Sequence, residues 1–377
     1  MSGGEPMRIA VDANVLDAAW GGIPKYLSRI ATELIAAGDE VQLLVNSSHL
    51  SWPVAGAEEV GVRIKGRPIW REAFLPLWLA RARPDVFWAP ESVLPRLRPV
   101  PTVVTIHDLA ALRFPGIKPQ HHVRSFETEV ARSVRRATRT IAVSATTAAD
   151  VERYYGVGAE RVRVVHNGVD KVFSPGDREA ALAAVAGRWG VTGPFVLHVG
   201  SIEPRKGVEV LVEAAALAAA EGAGWRLVLA GSPGFGGARI EAEARDSGAC
   251  HLLGHVSEEE LLDLMRAAGA FAAPALYEGF GIAPLEAMAC GTPAVIAAGS
   301  GGLEEISGPA AIVVAERTAA AWRSSLEDAL ARPPELVERG LRHAAQFRWP
   351  VVAAQVREVL AEAARTQKRW TSSPKKK

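Results

Sequence analysis

Two glutamates eight residues apart, Glu278 and Glu286, flank the predicted start of a helix in the run Tyr-Glu-Gly-Phe-Gly-Ile-Ala-Pro-Leu-Glu. Gly279 and Gly281 have no Cβ and let backbone N–H groups approach a ligand closely, and Pro284 suits a first helical turn. The unpaired N–H groups of that turn and the helix dipole favour an anion such as a pyrophosphate. We expect Glu278 in the loop before the helix, facing a sugar, and Glu286 in the first turn, accepting hydrogen bonds from ribose hydroxyls. The run therefore predicts a nucleotide-sugar site.

Two adjacent cations, Arg205 and Lys206, follow the first predicted strand of the second half of the chain, in Val-Gly-Ser-Ile-Glu-Pro-Arg-Lys-Gly. Cations at the carboxyl end of a strand favour an anionic ligand, and a leaving diphosphate would give them a role. The alternative is a solvated helix start, which the helix dipole disfavours for cations. For Glu286 the alternative is a residue that only stabilises the helix dipole.

Two further polar segments follow predicted strands of the first half. Gly21, Gly22 and Lys25 lie between the first strand and its helix, where glycines allow the backbone to approach a phosphate. Pro24 removes one N–H donor from that loop. His107 ends another predicted strand. The alternatives are an ordinary helix-entry turn for the first segment and a polar strand boundary for the second.

Short apolar runs alternate with helical stretches along the whole chain, and many of the runs are nearly continuous in Val, Ile and Leu. Such runs predict parallel strands buried on both faces, with helices on each side of the sheet. The predicted strands are 8–12, 41–45, 85–89, 102–107, 140–144 and 161–166 in the first half, and 195–200, 226–231, 251–253, 270–273, 294–297 and 311–314 in the second. The two sets predict two α/β halves, joined by a linker at 167–194 that is richer in glycine, proline and charge.

Length, charge and motif content argue against several functions. The 377 residues are too many for one hydrophobic core and predict two domains. A net charge of +1, with no basic run interleaved with aromatics, argues against nucleic-acid binding. The sequence has no Cys-x-x-Cys, His-Glu-x-x-His or Asp-x-Asp motif, so we expect no metal and no cofactor. It has no signal region, no apolar stretch that could span a bilayer and only two cysteines, so we expect a cytoplasmic protein.

Together these segments resemble the motifs of the retaining glycosyltransferases of the family-4 type (glycosyl transferases group 1), which include mannosyltransferases and have the GT-B architecture of two facing Rossmann-like domains. The resemblance covers nearly the whole chain. It comprises a Glu-x7-Glu motif at 278–286, an Arg-Lys-Gly pyrophosphate site at 205–207 and a Thr-x-His-Asp-Leu motif at 105–109. The loop at 21–26 departs from the usual Gly-Ile-Gly-Arg-Tyr because Pro24 replaces the second glycine, so Gly21, Gly22 and Lys25 carry that assignment.

The resemblance implies an α/β fold with an acceptor-side domain at 7–175, a donor-nucleotide domain at 190–348 and a helix at 349–366 that returns to the first domain. The polar end of the chain, 367–377, predicts a disordered tail. It implies catalytic roles for His107, Glu278, Arg205 and Lys206, with Asp108 orienting the histidine ring or the adjoining loop. The implied nucleobase segment contains His255 and Val256. The full set of implied donor-binding residues is Gly21, Gly22, Lys25, Arg205, Lys206, His255, Val256, Glu278, Gly279, Phe280, Gly281, Ile282 and Glu286.

The implied reaction transfers a hexose, with mannose as the candidate, from a nucleoside-diphosphate sugar to a glycan or lipid-linked saccharide acceptor, as in cell-envelope or polysaccharide biosynthesis. A nucleotide-sugar 2-epimerase, a phosphorylase and a non-catalytic nucleotide-sugar-binding protein are the alternatives on the same fold. No motif for a pyridoxal-phosphate lysine supports the phosphorylase. The apolar, aromatic and basic segment 70–83 is expected to pack in the core, and peripheral membrane contact, aided by arginines at 132, 135, 136 and 139, is the alternative.

Overall fold

The computed structural model describes residues 5–18, 21–47 and 50–371. These residues form two compact units. The first unit contains the chain up to Arg113, then Gln120–Gly168, and the chain from Trp349 onward. The second unit contains Phe114–Pro119 and Val169–Arg348.

The secondary structure alternates strands and helices throughout. The strands are β1 (Arg8–Asp12), β2 (Glu40–Val45), β3 (Glu58–Gly61), β4 (Val86–Ala89), β5 (Thr102–Ile106), β6 (Arg139–Ala142), β7 (Val162–Val164), β8 (Phe195–Val199), β9 (Arg226–Ala230), β10 (Cys250–Gly254), β11 (Ala270–Ala273), β12 (Ala294–Ala297) and β13 (Ile312–Val314). The α-helices are α1 (Gly22–Ala36), α2 (Arg67–Ile69), α3 (Leu75–Ala82), α4 (Ala110–Arg113), α5 (Gln120–Ser125), α6 (Ala131–Arg136), α7 (Ala145–Tyr155), α8 (Arg178–Trp189), α9 (Val208–Ala220), α10 (Ala238–Asp246), α11 (Glu258–Ala267), α12 (Ile282–Ala289), α13 (Gly302–Ser307), α14 (Ala319–Leu330), α15 (Pro334–Ala344) and α16 (Trp349–Thr371). Short 3-10 turns lie at Asn14–Asp17, Pro115–Ile117, Pro204–Lys206 and Gly308–Ala310, and π-helical turns at Trp70–Phe74 and Phe126–Val130.

The first unit is built on a parallel sheet whose strands, within the described residues, run in the order β3-β2-β1-β4-β5-β6-β7. All the strands predicted for this half are present. Strand β3 was not predicted, because its Glu58 and Glu59 are polar and it lies at the edge of the sheet, where burial is incomplete.

Helix α16 belongs to the first unit and packs on α1 and on the central strands of its sheet. Its buried residues Val352, Val356, Val359 and Ala363 recur every three or four positions, so one face of the helix points into the core. The helix continues to Thr371, beyond the predicted end at 366. Disorder of the tail stays a prediction: residues 367–371 lie in the last part of this helix, and residues 372–377 lie outside the described part of the chain.

The second unit repeats the design with strands ordered β10-β9-β8-β11-β12-β13 among its described residues. All the strands predicted for this half are present. The segment 167–194, predicted as a linker, instead contains α8, which starts after the capping residue Asp177 and packs on α11. No helix in the described ranges combines the length and apolarity that a membrane span needs.

The strand order reverses between β1 and β4 in the first sheet and between β8 and β11 in the second. Ligands of open parallel sheets bind at such reversals, beyond the carboxyl ends of the strands. In the second unit the loops that follow β8 and β11 carry Arg205, Lys206 and Glu278. Residues separated by 72 positions in sequence are thereby brought to one edge of the sheet.

Candidate functional site

The loops after β8 and β11 meet in an ion pair. Lys206 Nζ donates a hydrogen bond of 2.5 Å to Glu278 Oε1, and both side chains are largely buried. Burial alone would raise the pKa of Glu278, but Lys206 and then Arg205 outweigh it and hold the pKa below the usual value. Glu278 is therefore ionised at neutral pH and can only accept hydrogen bonds.

Arg205 lies beside this pair and connects the same two loops. Its Nη1 donates to the carbonyl of Tyr277 at 3.0 Å, and its Nη2 donates to Glu203 Oε1 at 2.8 Å. Glu203 is only 3% exposed and also accepts a 3.3 Å hydrogen bond from Lys118 Nζ. Burial would raise the pKa of Glu203, but Arg205 and Lys118 lower it overall.

The structure thus pairs each of the two predicted cations with a carboxylate. Sequence reasoning placed Arg205 and Lys206 together as an anion site but missed Glu203, which lies in the same short loop, and Lys118, which lies in another segment. The acid between the strand and the two cations was the available signal for Glu203. No sequence signal connects Lys118 with this loop, because the contact is made in three dimensions.

A third loop, which follows β12, fixes the backbone of Glu278 by hydrogen bonds. The backbone N–H of Glu278 donates to the carbonyl of Ser300 at 3.0 Å, and Gly302 N–H donates to the carbonyl of Glu278 at 2.9 Å. A Cβ on Gly302 would lie 2.0 Å from the carbonyl oxygen of Gly279, so only glycine fits there. The run of glycines just after β12 was a signal that sequence reasoning left unused.

The start of α12 corrects the expectation for Glu286. Gly281 adopts a left-handed conformation with φ of 78°, so the helix begins at Ile282, and Pro284 lies in its first turn as predicted. Glu286 is the fifth residue of the helix and is 4% exposed. It therefore lies in the second turn, buried, and not in the first turn as expected. Phe280 is also buried, beside the half-exposed start of the helix.

The predicted nucleobase segment follows β10. His255 is exposed and Val256 is half-buried. Strand β10 lies two strands from β8 in the sheet order, which corresponds to roughly 10 Å at the usual strand spacing. The segment is thus at the same edge of the sheet as Lys206, displaced along it.

The residues predicted near the start of the chain lie in the first unit. Gly21 precedes α1, and the N–H of Lys25 donates to its carbonyl at 3.3 Å. Pro24 is buried in the first turn of the helix. A Cβ on Gly22 would meet nothing within 4 Å, so packing in the first unit does not require a glycine there.

His107 comes directly after β5 and is half-buried. Its Nε2 lies 2.9 Å from the carbonyl oxygen of Pro90, which can only accept, so Nε2 carries the hydrogen. Burial lowers the pKa of His107, opposed by the Pro90 hydrogen bond and by Asp108. The neutral ring therefore keeps a lone pair on Nδ1. Asp108 accepts from the N–H of Ala110 at 3.0 Å, so the carboxylate fixes the adjoining loop.

Sequence reasoning also missed Asp12, at the carboxyl end of β1 beside the strand reversal. Burial raises the pKa of Asp12 to about 6, Glu91 adds to the shift, and a 2.6 Å hydrogen bond from Asn14 opposes it. Within the described ranges, no group of three or more His, Cys, Asp and Glu residues is arranged to hold a metal ion.

Two family descriptions match the chain, one in each half. Residues 20–173 match "Glycosyltransferase Family 4", and residues 186–346 match "Glycosyl transferases group 1". The D-inositol 3-phosphate glycosyltransferase of Mycolicibacterium smegmatis is 33% identical over 287 residues, which cover 72% of this chain and 61% of that protein. The corresponding protein of Thermobispora bispora is 34% identical over 287 residues, covering 70% of this chain and 65% of that protein. The chain thus spans less than two thirds of the length of these curated relatives.

Solved structures share the fold. Sucrose-phosphate synthase from Thermosynechococcus elongatus superposes with a TM-score of 0.76 at 21% identity, covering 97% of this chain and 99% of that one. WaaG, a glycosyltransferase involved in lipopolysaccharide biosynthesis, gives a TM-score of 0.74 at 21% identity, covering 93% of this chain and 99% of that one. Two Rossmann-like units of this kind define the GT-B fold. With both halves matched, the chain belongs to the group 1 and family 4 glycosyltransferases.

Proposed function

We propose that this protein is a retaining glycosyltransferase that moves a hexose, with mannose as the candidate, from a nucleoside-diphosphate sugar to a glycan or lipid-linked saccharide acceptor. The observation that carries the proposal is the buried Lys206–Glu278 pair at the strand reversal of the second unit. An ammonium suits a phosphate, and an ionised carboxylate suits sugar hydroxyls, so the pair matches the two ends of a sugar phosphate. The names of the relatives make a polyol phosphate a second candidate acceptor.

In the proposed reaction the bond from the anomeric carbon to the phosphate oxygen breaks while the acceptor oxygen bonds to the same face of that carbon. The acceptor proton passes to the departing phosphate oxygen. Lys206 turns from Glu278 to the phosphate and stabilises the charge that develops there. Glu278 accepts hydrogen bonds from sugar hydroxyls, and Arg205 holds the loop that carries Glu278 while adding positive potential. His107, in the first unit, is proposed to accept a hydrogen bond from a hydroxyl group through Nδ1.

A thermal-shift panel of GDP-, UDP-, dTDP- and ADP-sugars tests donor binding. A ligand at 100 times its dissociation constant adds about 2.7 kcal/mol of stability, so the cognate base separates clearly from the others. Turnover of that donor with candidate acceptors, followed by NMR of the product's anomeric configuration, tests retention. Deuterium incorporation at C2 of the sugar would instead reveal a 2-epimerase. Donor binding with neither sugar transfer nor slow hydrolysis of the donor would favour a non-catalytic protein.

We also propose peripheral membrane contact of a cytoplasmic enzyme, through the surface around α3. Trp70, Leu75 and Leu79 are buried, which confirms core packing for that side of the segment, but Leu77 is 73% exposed and Leu97 is 70% exposed. Leu97 lies between Arg96 and Arg98 in the sequence. The pKa of Arg98 is lowered by burial and by the nearby charges of Arg136 and Arg132, which shows that these cations are clustered. Apolar side chains beside clustered cations suit an anionic bilayer surface. Sedimentation with phosphatidylglycerol vesicles, compared with phosphatidylcholine vesicles, tests this contact, with the Leu97→Asp variant as the control.

A further inference from the structure

His198 is a buried polar residue in the middle of an apolar strand, β8, and none of the roles above uses it. His198 is only 3% exposed, and its Nδ1 lies 2.9 Å from the carbonyl oxygen of Ala272 on β11. A carbonyl oxygen only accepts, so Nδ1 carries the hydrogen and Nε2 carries the lone pair. This Nε2 is buried and has no hydrogen-bond partner in the described part of the chain. Buried polar atoms without partners are rare and call for an explanation.

The unpartnered nitrogen and the Lys206 ammonium both lie close to Gly200. A Cβ built on Gly200 would be 3.9 Å from His198 Nε2 and 3.8 Å from Lys206 Nζ, so both nitrogens border the same position beside the Gly200 backbone. Lys206 has three N–H donors and uses one of them on Glu278. An ammonium can only donate and the neutral Nε2 can only accept, so the two groups are complementary.

We propose that His198 is a positioning residue for Lys206, with its Nε2 lone pair taking one ammonium hydrogen when a donor phosphate draws Lys206 away from Glu278. The inference rests on the proposed role of Lys206 at the leaving phosphate. Lys206 then keeps one N–H for His198 and directs another to the phosphate, while Glu278 is released to the sugar hydroxyls. A second carboxylate at this position would cancel the positive charge that the phosphate needs, whereas a neutral imidazole orients the ammonium and leaves its charge in place.

The surroundings keep the ring neutral. Burial lowers the pKa of His198 to about 4; the hydrogen bond to Ala272 opposes the shift, Lys206 adds to it and Glu278 opposes it. The Nε2 lone pair is therefore available throughout the neutral range, in which a glycosyltransferase would be assayed.

Two substitutions separate the two nitrogens of the ring. In His198→Asn the side-chain amide can take the place of Nδ1–H and keep the bond to Ala272, but nothing replaces Nε2. In His198→Gln the longer side chain can place its amide oxygen where Nε2 was. We expect His198→Asn to lower kcat by about 10- to 100-fold, which is the scale of the effect when a reacting group is slightly misplaced. The KM for the donor should change much less. His198→Gln should recover most of the rate even if its Tm is the lower of the two.

A kcat of His198→Asn equal to that of the wild type would overturn the proposal, and so would equal losses in both variants that follow their Tm values. Failure of the proposed function has a different signature, since the wild type itself would then neither bind nor turn over any donor in the panel. A measurement that needs no turnover is 15N NMR of histidine-labelled wild type, with the ring signal assigned by its loss in His198→Asn. Adding the nucleoside diphosphate that gives the largest thermal shift should move the Nε2 resonance toward the hydrogen-bonded range, and an unmoved resonance would contradict the role.

Discussion

Replacing Arg205 by alanine tests whether the cations of the second unit act on chemistry, on folding or on both. The guanidinium bonds the carbonyl of Tyr277 and the buried carboxylate of Glu203. Its removal leaves Glu203, 3% exposed, with Lys118 at 3.3 Å as its remaining charged hydrogen-bond partner among the described residues. Removing one partner of a buried ion pair costs about 3 to 5 kcal/mol, and the remaining Lys118 contact places Arg205→Ala at the lower end, about 3 kcal/mol.

The effect on catalysis has a separate cause. Arg205 adds positive potential at Glu278 and fixes the loop that carries it through Tyr277, so its loss should lower kcat by about 10²- to 10³-fold. Arg205→Lys keeps the charge but lacks the planar fork whose two arms reach Tyr277 and Glu203, and it should recover only part of the rate. The assay is single-turnover kinetics at saturating donor, alongside urea unfolding of each variant.

A double-mutant cycle provides the control. Glu203→Gln combined with Arg205→Ala removes the buried charge together with its partner, so it should regain part of the stability that Arg205→Ala alone loses. If stability is regained without any return of kcat, the two roles of Arg205 are separate. A normal chemical rate in Arg205→Ala with only a raised KM would refute the catalytic role. The guanidinium would then merely tether the nucleotide, and leaving-group stabilisation would have to come from Lys206 or from the loop at 21–25.

Four further outcomes can be checked. Glu286→Ala should weaken binding of the free nucleoside diphosphate by about 1 to 3 kcal/mol through lost charged hydrogen bonds, and unchanged affinity by calorimetry would remove this buried residue from the ribose site. Turnover should survive excess EDTA, and activity that chelation abolishes and Mg2+ restores would contradict a metal-independent mechanism. Glu278→Gln should bind the free nucleoside diphosphate more tightly, by about 1 kcal/mol, since Lys206 leaves a neutral amide more easily than a carboxylate, yet it should bind the sugar donor less well. For His198, the pKa falls from 6.5 to about 4 on folding, so the unfolded chain takes up a proton in that window that the folded chain does not. The free energy of unfolding should therefore drop as pH falls from 6.5 to 4, by roughly 3 kcal/mol in total, and the Tm of the wild type should fall relative to that of His198→Asn from pH 7 to pH 5.

The strands were predictable because parallel strands that are covered on both faces have short, nearly continuous apolar sequences. Strand β3 escaped because an edge strand with Glu58 and Glu59 carries no such run. Helix α8 escaped because its buried residues, Ala181 and Val185, are few and its flanks are rich in glycine and proline, which is the composition of a linker. Its capping Asp177 was a local signal that could have revealed it.

The site was predictable as a set of segments but not as a set of contacts. Topology alone brings the ends of β8 and β11 together, so Lys206 and Glu278 could be assigned to one edge of the sheet. No local sequence pattern encodes the side-chain positions that pair Lys206 directly with Glu278. The same holds for the pairing of Glu203 with Arg205 and Lys118, and for the burial of Glu286. His198, in contrast, is visible in the sequence as one polar residue inside an apolar strand. It was not predicted as a site residue, because such a residue is usually treated as an interruption of the core.

The ion pairs of the second unit explain how two neighbouring cations can be buried at the proposed phosphate site without destabilising the fold. Arg205 and Lys206 are adjacent in sequence and largely buried, and two desolvated cations would destabilise the unit if they had no partners. Glu203 and Glu278 offset that charge in the structure. Donor binding can then proceed as an exchange, in which a phosphate replaces Glu278 at Lys206 and sugar hydroxyls replace Lys206 at Glu278, so that charged groups change partners without being left unpaired. Arg205 and Glu203 do not need to separate in this exchange, which makes them the fixed part of the site, and Lys206 the part that moves. A free diphosphate completes only half of the proposed exchange and leaves Glu278 without Lys206, so discrimination in favour of the intact sugar nucleotide follows from the same ion pair that offsets the buried charge of Lys206.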